Sequence, residues 1–181
     1  MIPDQKMTIA IDGPAGAGKS TVARELARRL NIDYLDTGAM YRAITLKLIR
    51  SRVDLGDGAG LENMLEETKL TLRGGENGNV IILDGEDVTA EIRKPFVNER
   101  VSEVSCISMI RKKLVAIQRE IARGSRGIVV EGRDIASRVL PQARYKFYLE
   151  AGLAERARRR WKEQVAAGLE VSPAQVESEI K

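Results

Sequence analysis

Met7-Thr8-Ile9-Ala10-Ile11-Asp12-Gly13-Pro14-Ala15-Gly16-Ala17-Gly18-Lys19-Ser20-Thr21 is the stretch whose reading decides the fold. Met7 to Ile11 is a short apolar run that stops at Asp12-Gly13-Pro14, the pattern of a strand buried on both faces in a parallel sheet. Gly13 through Ser20 fits G-x-x-x-x-G-K-[ST] at every fixed position, the pattern called a P-loop. Beyond it Val22, Leu26 and Leu30 recur at four-residue spacing, with Arg24, Glu25, Arg28 and Arg29 between them. That spacing predicts an amphipathic helix closing near Asn31, the apolar trio facing inward. Strand, glycine-rich loop and helix are the context the pattern needs. Glycines let the backbone curl so that successive N–H groups point inward as an anion nest, and the helix N-terminus adds its positive dipole end. Gly13, Pro14, Ala15, Gly16, Ala17, Gly18, Lys19, Ser20 and Thr21 are therefore the candidate ATP-binding residues. Lys19 would bridge the β- and γ-phosphates, and the Ser20 hydroxyl would ligate a Mg²⁺ ion carried by the nucleotide. Thr21 reads more as helix start than as ligand, and the bland alternative for the whole loop is a glycine-rich turn that holds nothing.

Working outward, Ile32 to Leu35 predicts a second short strand, and Asp36-Thr37-Gly38 a turn that caps a helix over 39–50 with Ile44 and Leu48 inward. Strand, helix, strand, helix is the grammar of an α/β fold. The middle departs from it. Lys69 to Arg73 alternates, Gly74 to Gly78 makes a turn, and Val80 to Leu83 runs into Asp84-Gly85. These pieces predict a small antiparallel sheet, roughly 66–96, inserted in a parallel-sheet protein. Two helices follow over 95–123 with a break near Ser105 to Ser108. Gly127 to Glu131 predicts another buried strand, and Tyr145 to Leu149 one more. Leu153, Ala157, Trp161 and Val165 mark the inner side of a helix whose other faces carry Arg156, Arg158, Arg159 and Arg160, and a final helix starts near Ser172-Pro173.

The 181 residues suit one domain or one core with a small insertion. With 43% hydrophobic and 31% charged residues the chain can bury a sizeable core, and with 4% aromatics that core must be aliphatic. The net charge of +4 and a pI near 9.3 suit polyanionic partners: nucleic acid, anionic lipid or small phosphorylated ligands. The single cysteine, Cys106, excludes an intrachain disulfide and reads as buried packing. The absence of histidine excludes His metal ligands and His general bases within these residues. No apolar run approaches the ~20 residues that span a bilayer, and Met1 to Lys6 lacks the hydrophobic region of a signal peptide. The expectation is a cytoplasmic, monomeric protein without a membrane partner.

A P-loop serves kinases, GTPase switches and motor ATPases alike. No D-x-x-G and N-K-x-D pair stands where a GTPase needs it. The strand over 128–131 ends in Glu131 and runs into Gly132-Arg133-Asp134, at the sheet edge where ligands sit in such folds. An Arg–Asp pair there suits an anionic acceptor beside a hydrogen-bonding group, or is a plain surface ion pair. Asp36 and Thr37 lie at a strand-to-helix corner, and Arg42, one turn later, can present a planar fork to a phosphate. For Asp36 the alternative is a helix cap and nothing more.

On Ile11 through Thr21, Leu35 through Arg42, Asp84 through Val88 with Glu91-Ile92-Arg93, and Glu131 through Asp134, the chain resembles the bacterial cytidylate kinases, nucleoside monophosphate kinases. The resemblance implies a P-loop NTPase-type parallel sheet flanked by helices, with the small antiparallel sheet as a monophosphate-binding insertion (66–104) and an Arg-rich lid. It implies a core over 1–65 and 105–181, the lid starting at about 152. It implies ATP-dependent phosphorylation of CMP or dCMP with Mg²⁺, Lys19, Arg133 and Asp134 being catalytic. Arg42 and Arg133 would hold the acceptor phosphate, Ser102, Arg111 and Asp134 would read the cytosine edge, and Asp36 and Thr37 would lie at the acceptor site. Arg159 would reach ATP from the lid. Members of this family continue past the position of Lys181 through more lid and a last strand and helix, so the expectation is either that such residues are omitted from this sequence or that the chain is a fragment, and a fragment would leave one sheet edge uncovered.

Two rival readings remain. One is a kinase for another small acceptor such as UMP. The other is a P-loop nucleic-acid-binding module, which the basic charge favours and the lack of aromatic stacking platforms (two Phe, one Trp) disfavours.

Overall fold

The apolar run around Ile9 becomes β1 (Met7–Asp12), the strand from which the core is organised. In this computed structural model the described residues are 6–75, 78–166, 168 and 171–179. The elements that follow are α1 (Lys19–Leu30), β2 (Asp33–Asp36), α2 (Thr37–Ser51), α3 (Gly58–Glu67), β3 (Leu70–Gly75), β4 (Gly78–Leu83) and β5 (Glu86–Asp87). Then come α4 (Pro95–Ser105), α5 (Ser108–Gly124), β6 (Gly127–Gly132), β7 (Tyr145–Tyr148), α6 (Leu153–Ala166) and α7 (Pro173–Glu179). A 3-10 turn, Glu91–Arg93, precedes α4, and a π-helical turn, Ile135–Val139, follows β6.

The main sheet is parallel in the order β2-β6-β1-β7. β6 is central and its Ile128, Val129 and Val130 are fully buried, each contributing on the order of 1.5–3 kcal/mol of apolar transfer. Register pairs Asp12 with Gly132 and Asp36 with Glu131, so the strand ends that carry polar residues finish side by side. The second sheet is antiparallel in the order β3-β4-β5. Arg50 on α2 ties it down by forking onto Glu86 (2.7 Å) and Glu91 (2.6 Å). Asn79 on β4 closes the edge of β2: its Oδ1 accepts from the Asp36 N–H (2.8 Å) and its Nδ2 donates to the Tyr34 carbonyl (2.8 Å). One side-chain amide thus does what a neighbouring strand would do.

Several sequence expectations are corrected. In α1 the buried residues are Ala23 and Ala27, while Val22 and Leu30 are 44% and 40% exposed and Leu26 is only half-buried. The small alanines let the helix axis approach the sheet closely, which turns the larger residues to the flanks. β7 is not a buried strand; it is an edge strand, with Phe147 49% and Tyr148 64% exposed, because among the described residues it pairs with β1 alone. Along α6 only Ala157 is buried, and Val165 is exposed. Cys106 is exposed: it ends α4 and its thiol donates to the Ser102 carbonyl one turn back (3.3 Å), beside the cleft rather than in the core. Helix α3, capped by Asp57 accepting from Gly60 N–H (2.9 Å), had no counterpart in the sequence reading. The expected turn over 74–78 and the stop at Lys181 fall partly or wholly outside the described residues.

Candidate active site

β1 delivers the chain into the phosphate loop at Gly13, whose φ of 150° is accessible to glycine and where a Cβ would overlap the Leu149 carbonyl oxygen after β7. At Gly16 (φ 75°) the backbone of Arg156 on α6 passes so close that a Cβ would stand 3.0 Å from its carbonyl oxygen. Glycine at these positions therefore lets two other segments pack on the loop. Helix α6 sits on it directly: Arg156 Nη1 donates to the Ala15 carbonyl and Arg159 Nη1 to the Ala17 carbonyl, both at 3.4 Å. Arg159 is also held along α6 by Glu155 (2.6 Å).

Lys19 starts α1, and its ammonium donates to the Pro14 carbonyl across the loop (2.9 Å). Burial, foremost, pulls its pKa down; Glu131 opposes this and Arg133 adds to it. Glu131, at the end of β6, is buried among these groups. Tyr34 donates its hydroxyl to Glu131 Oε1, and the Ser20 side chain lies beside the carboxylate, where it favours the charged form. Burial and the nearby Asp36 push the Glu131 pKa up.

One cleft of about 1900 Å³ runs from this loop to the small sheet. Single-ligand pockets span roughly 300–1,000 Å³, so the cleft has room for two ligands. Ala15 to Thr21 and Arg159 line one end. Asp36, Thr37, Arg42, Ser102, Arg111, Arg133 and Asp134 line the other, so the expected acceptor residues, drawn from α2, α4, α5 and the segment after β6, share one space. Gly13 and Pro14 are outside this lining, behind the loop.

Asp36 caps α2 by accepting from the Ala39 N–H (2.9 Å), and it also stands 3.7 Å from Arg93, so cap and cleft residue are one and the same. Thr37 is buried and its hydroxyl donates to the Glu131 carbonyl (2.8 Å), which pins the start of α2 to the end of β6. Arg42 is half-buried in the wall of the cleft. Burial lowers its pKa, the nearby Asp36 offsets this, and Arg93 and Arg160 crowd it with like charge. Arg111 and Asp134 form an ion pair, with Arg138 3.7 Å from the same carboxylate. Asp12, at the root of the phosphate loop, accepts from the N–H groups of Ile135 (2.8 Å) and Ala136 (2.9 Å), fixing the turn that carries Arg133 and Asp134.

A family model, Cytidylate kinase, matches residues 9–181. This chain belongs to the cytidylate kinase family. It is 51% identical over 177 residues to the cytidylate kinase of Symbiobacterium thermophilum, covering 97% of this chain and 78% of that protein. It is 51% identical over 173 residues to the cytidylate kinase of Caldanaerobacter subterraneus subsp. tengcongensis, covering 96% of this chain and 75% of that one. Among solved structures it is similar to shikimate kinase from Acinetobacter baumannii in complex with shikimate, at 17% identity and a TM-score of 0.44 over 98% of this chain and 75% of that one. That last likeness is too loose to bear on the site.

Tyr34, Arg93, Glu131 and Arg160, to which the sequence assigned no ligand role, also line the cleft of this cytidylate kinase family member. For Glu131 a signal existed, an acidic residue ending an apolar strand two positions before Arg133. Arg93 stands in the Glu91-Ile92-Arg93 stretch that carries the resemblance and Arg160 in the arginine run of α6, but neither place specifies a contact, because many basic residues in the chain lie on solvated faces. Among the described residues no cluster of three His, Cys, Asp or Glu side chains forms an all-protein metal cage. A hydroxyl backed by a carboxylate, Ser20 and Glu131, is a hard oxygen donor set that fits Mg²⁺ brought in by a nucleotide. No described helix is long and apolar enough to cross a membrane.

Proposed function

We propose that the chain transfers the γ-phosphoryl group of ATP to CMP or dCMP, giving ADP and CDP or dCDP. The observation that carries this reading is one cleft with an anion nest and Lys19 at one end and Arg42, Arg133 and an Arg111–Asp134 pair at the other. Lys19, resting on the Pro14 carbonyl, would exchange that acceptor for the triphosphate. The loop N–H groups and the α1 dipole would hold the β-phosphate. Arg42 and Arg133 would hold the phosphate of CMP. One of its oxygens attacks the γ-phosphorus as the bond to the β-phosphate oxygen breaks. That oxygen is already anionic, so no general base is required, in keeping with a chain without histidine. Positioning and charge neutralisation then dominate the rate. Ser20, backed by Glu131, would hold Mg²⁺, whose charge would offset that of the phosphate oxygens.

At the base, cytosine offers an amino donor beside ring acceptors. A carboxylate paired with a guanidinium, with the Ser102 hydroxyl nearby, complements that edge. Uracil would set a carbonyl against the carboxylate. Arg156 and Arg159 hold α6 on the loop, where it would exclude water from the reacting phosphates. A cytoplasmic setting, with its ATP supply, belongs to the same proposal. Initial rates with ATP and a panel of CMP, dCMP, UMP, AMP and shikimate test it. CMP and dCMP should exceed the others by at least about tenfold in kcat/KM, as loss of a buried polar match implies. Equal rates with UMP or shikimate would overturn the substrate assignment.

A further inference from the structure

Arg42 has one partner that the reaction scheme above does not use. Its Nε donates to Asn98 Oδ1 at 3.2 Å, and Asn98 Nδ2 donates to the backbone carbonyl of Arg93 at 2.9 Å. The orientation of this amide is forced. A guanidinium offers only donors, so it must face the Asn98 oxygen, and a carbonyl accepts only, so it must face the nitrogen. Asn98 lies one turn into α4, whose start is held by the Asn98 N–H bonding to the Lys94 carbonyl (3.2 Å). The amide therefore bridges α2, which carries Arg42, and the 3-10 turn that carries Arg93.

We propose that Asn98 is a positioning residue for the acceptor phosphate, bracing Arg42 through Nε so that its two terminal nitrogens face the cleft. An arginine grips a phosphate with a planar fork, and the grip depends on the plane being set beforehand. Engaging Nε fixes that plane and leaves the terminal N–H groups for the ligand. The surroundings make the brace necessary. Arg93 and Arg160 lie near Arg42 with like charge, and a guanidinium so placed would turn away unless it were tied. Asp36 offers the countercharge, and a Cβ at Gly38 would stand 3.2 Å from Arg42 Nη1, so the guanidinium passes tightly over the start of α2. A neutral amide is suited to the task, because it fixes Arg42 without cancelling its charge.

The proposal rests on the reading of Arg42 as an acceptor-phosphate ligand, and the experiment separates the two. Steady-state KM values for CMP and ATP, inhibition by cytidine, and Tm are measured for the wild type, Arg42→Ala, Asn98→Ala and Asn98→Asp. Asn98→Ala should raise KM for CMP about tenfold, the loss of one hydrogen bond to a charged group, with KM for ATP kept. The inhibition constant of cytidine, which has no phosphate, should also be kept. Asn98→Asp retains the volume and the acceptor but neutralises Arg42 and sets an oxygen against the Arg93 carbonyl, so its KM for CMP should rise at least as far. A merely structural role would lower Tm and weaken cytidine as much as CMP, and that result would overturn the brace. If Arg42→Ala raises KM for CMP and neither Asn98 variant does, the brace fails and the acceptor site stands. If Arg42→Ala also leaves KM unchanged, the acceptor site itself fails.

Discussion

The two ends of the cleft are built differently. The phosphate loop is eight consecutive residues whose backbone would do the holding, set by glycine conformations and the start of one helix. The opposite end is assembled from side chains on four elements, with Asp36, Arg42, Ser102, Arg111 and Asp134 separated by up to 98 positions in sequence and brought together only by the packing of α2, α4 and α5. Contiguous backbone sites tolerate sequence change around them, because any side chain can flank a curled backbone. Assembled side-chain sites depend on every brace.

Substitutions test that contrast. The largest effect should come from Lys19→Ala, which removes the only side-chain cation of the loop. On the order of 10³ in kcat/KM should be lost with ATP and CMP, and near-normal turnover would end the role of the loop. Arg42→Ala should act on one end alone, raising KM for CMP by on the order of 10² with KM for ATP kept; an equal rise in both would show that the ends are not separable. Asp12→Asn would set an amide N–H₂ against one of the two N–H groups its carboxylate now receives. That substitution should lower kcat about tenfold and disturb both KM values less, measured in the same assays.

The smallest expected effect concerns stability. Glu131 has its pKa raised by burial above the ordinary 4.5, so the folded chain holds that proton more tightly than the unfolded chain. Its contribution to stability is then lost as pH rises from about 4.5 through the elevated value. Glu131→Gln keeps an acceptor for the Tyr34 hydroxyl and removes the titration. Its Tm should fall less steeply than the wild type's over that rise in pH, by a few degrees in all. A parallel pair of curves would remove Glu131 from this account.

The same contrast explains what was legible in the sequence. The loop was readable because eight adjacent residues contain all its physics. The two sheets and the break between α4 and α5 were readable from periodicity and turn residues. The inner face of α1 was not, because the spacing of Val22, Leu26 and Leu30 reports hydrophobicity, whereas Ala23 and Ala27 are chosen for closeness of approach. Exposure of β7 depends on which strands flank it, a property of topology that YKFY does not carry. Arg42 and Arg133 could be singled out as anion-binding candidates from their places after β2 and β6, but a shared role at one acceptor phosphate came only with the family resemblance. Asn98 could not be named at all, since its meaning lies in Arg42, 56 positions away.

Asp12 has a mechanical consequence. Its backbone carbonyl accepts from the Leu149 N–H (2.8 Å), while its carboxylate grips the turn after β6, and the next residue opens the phosphate loop. Three segments thus hang from a single residue in the inner strand pair of the parallel sheet. The separation between donor and acceptor is consequently gauged by the β1–β6 register, like a distance ruled on a fixed bar. A shift of α6 or of the small sheet would leave that gauge unchanged, because neither takes part in the β1–β6 pairing.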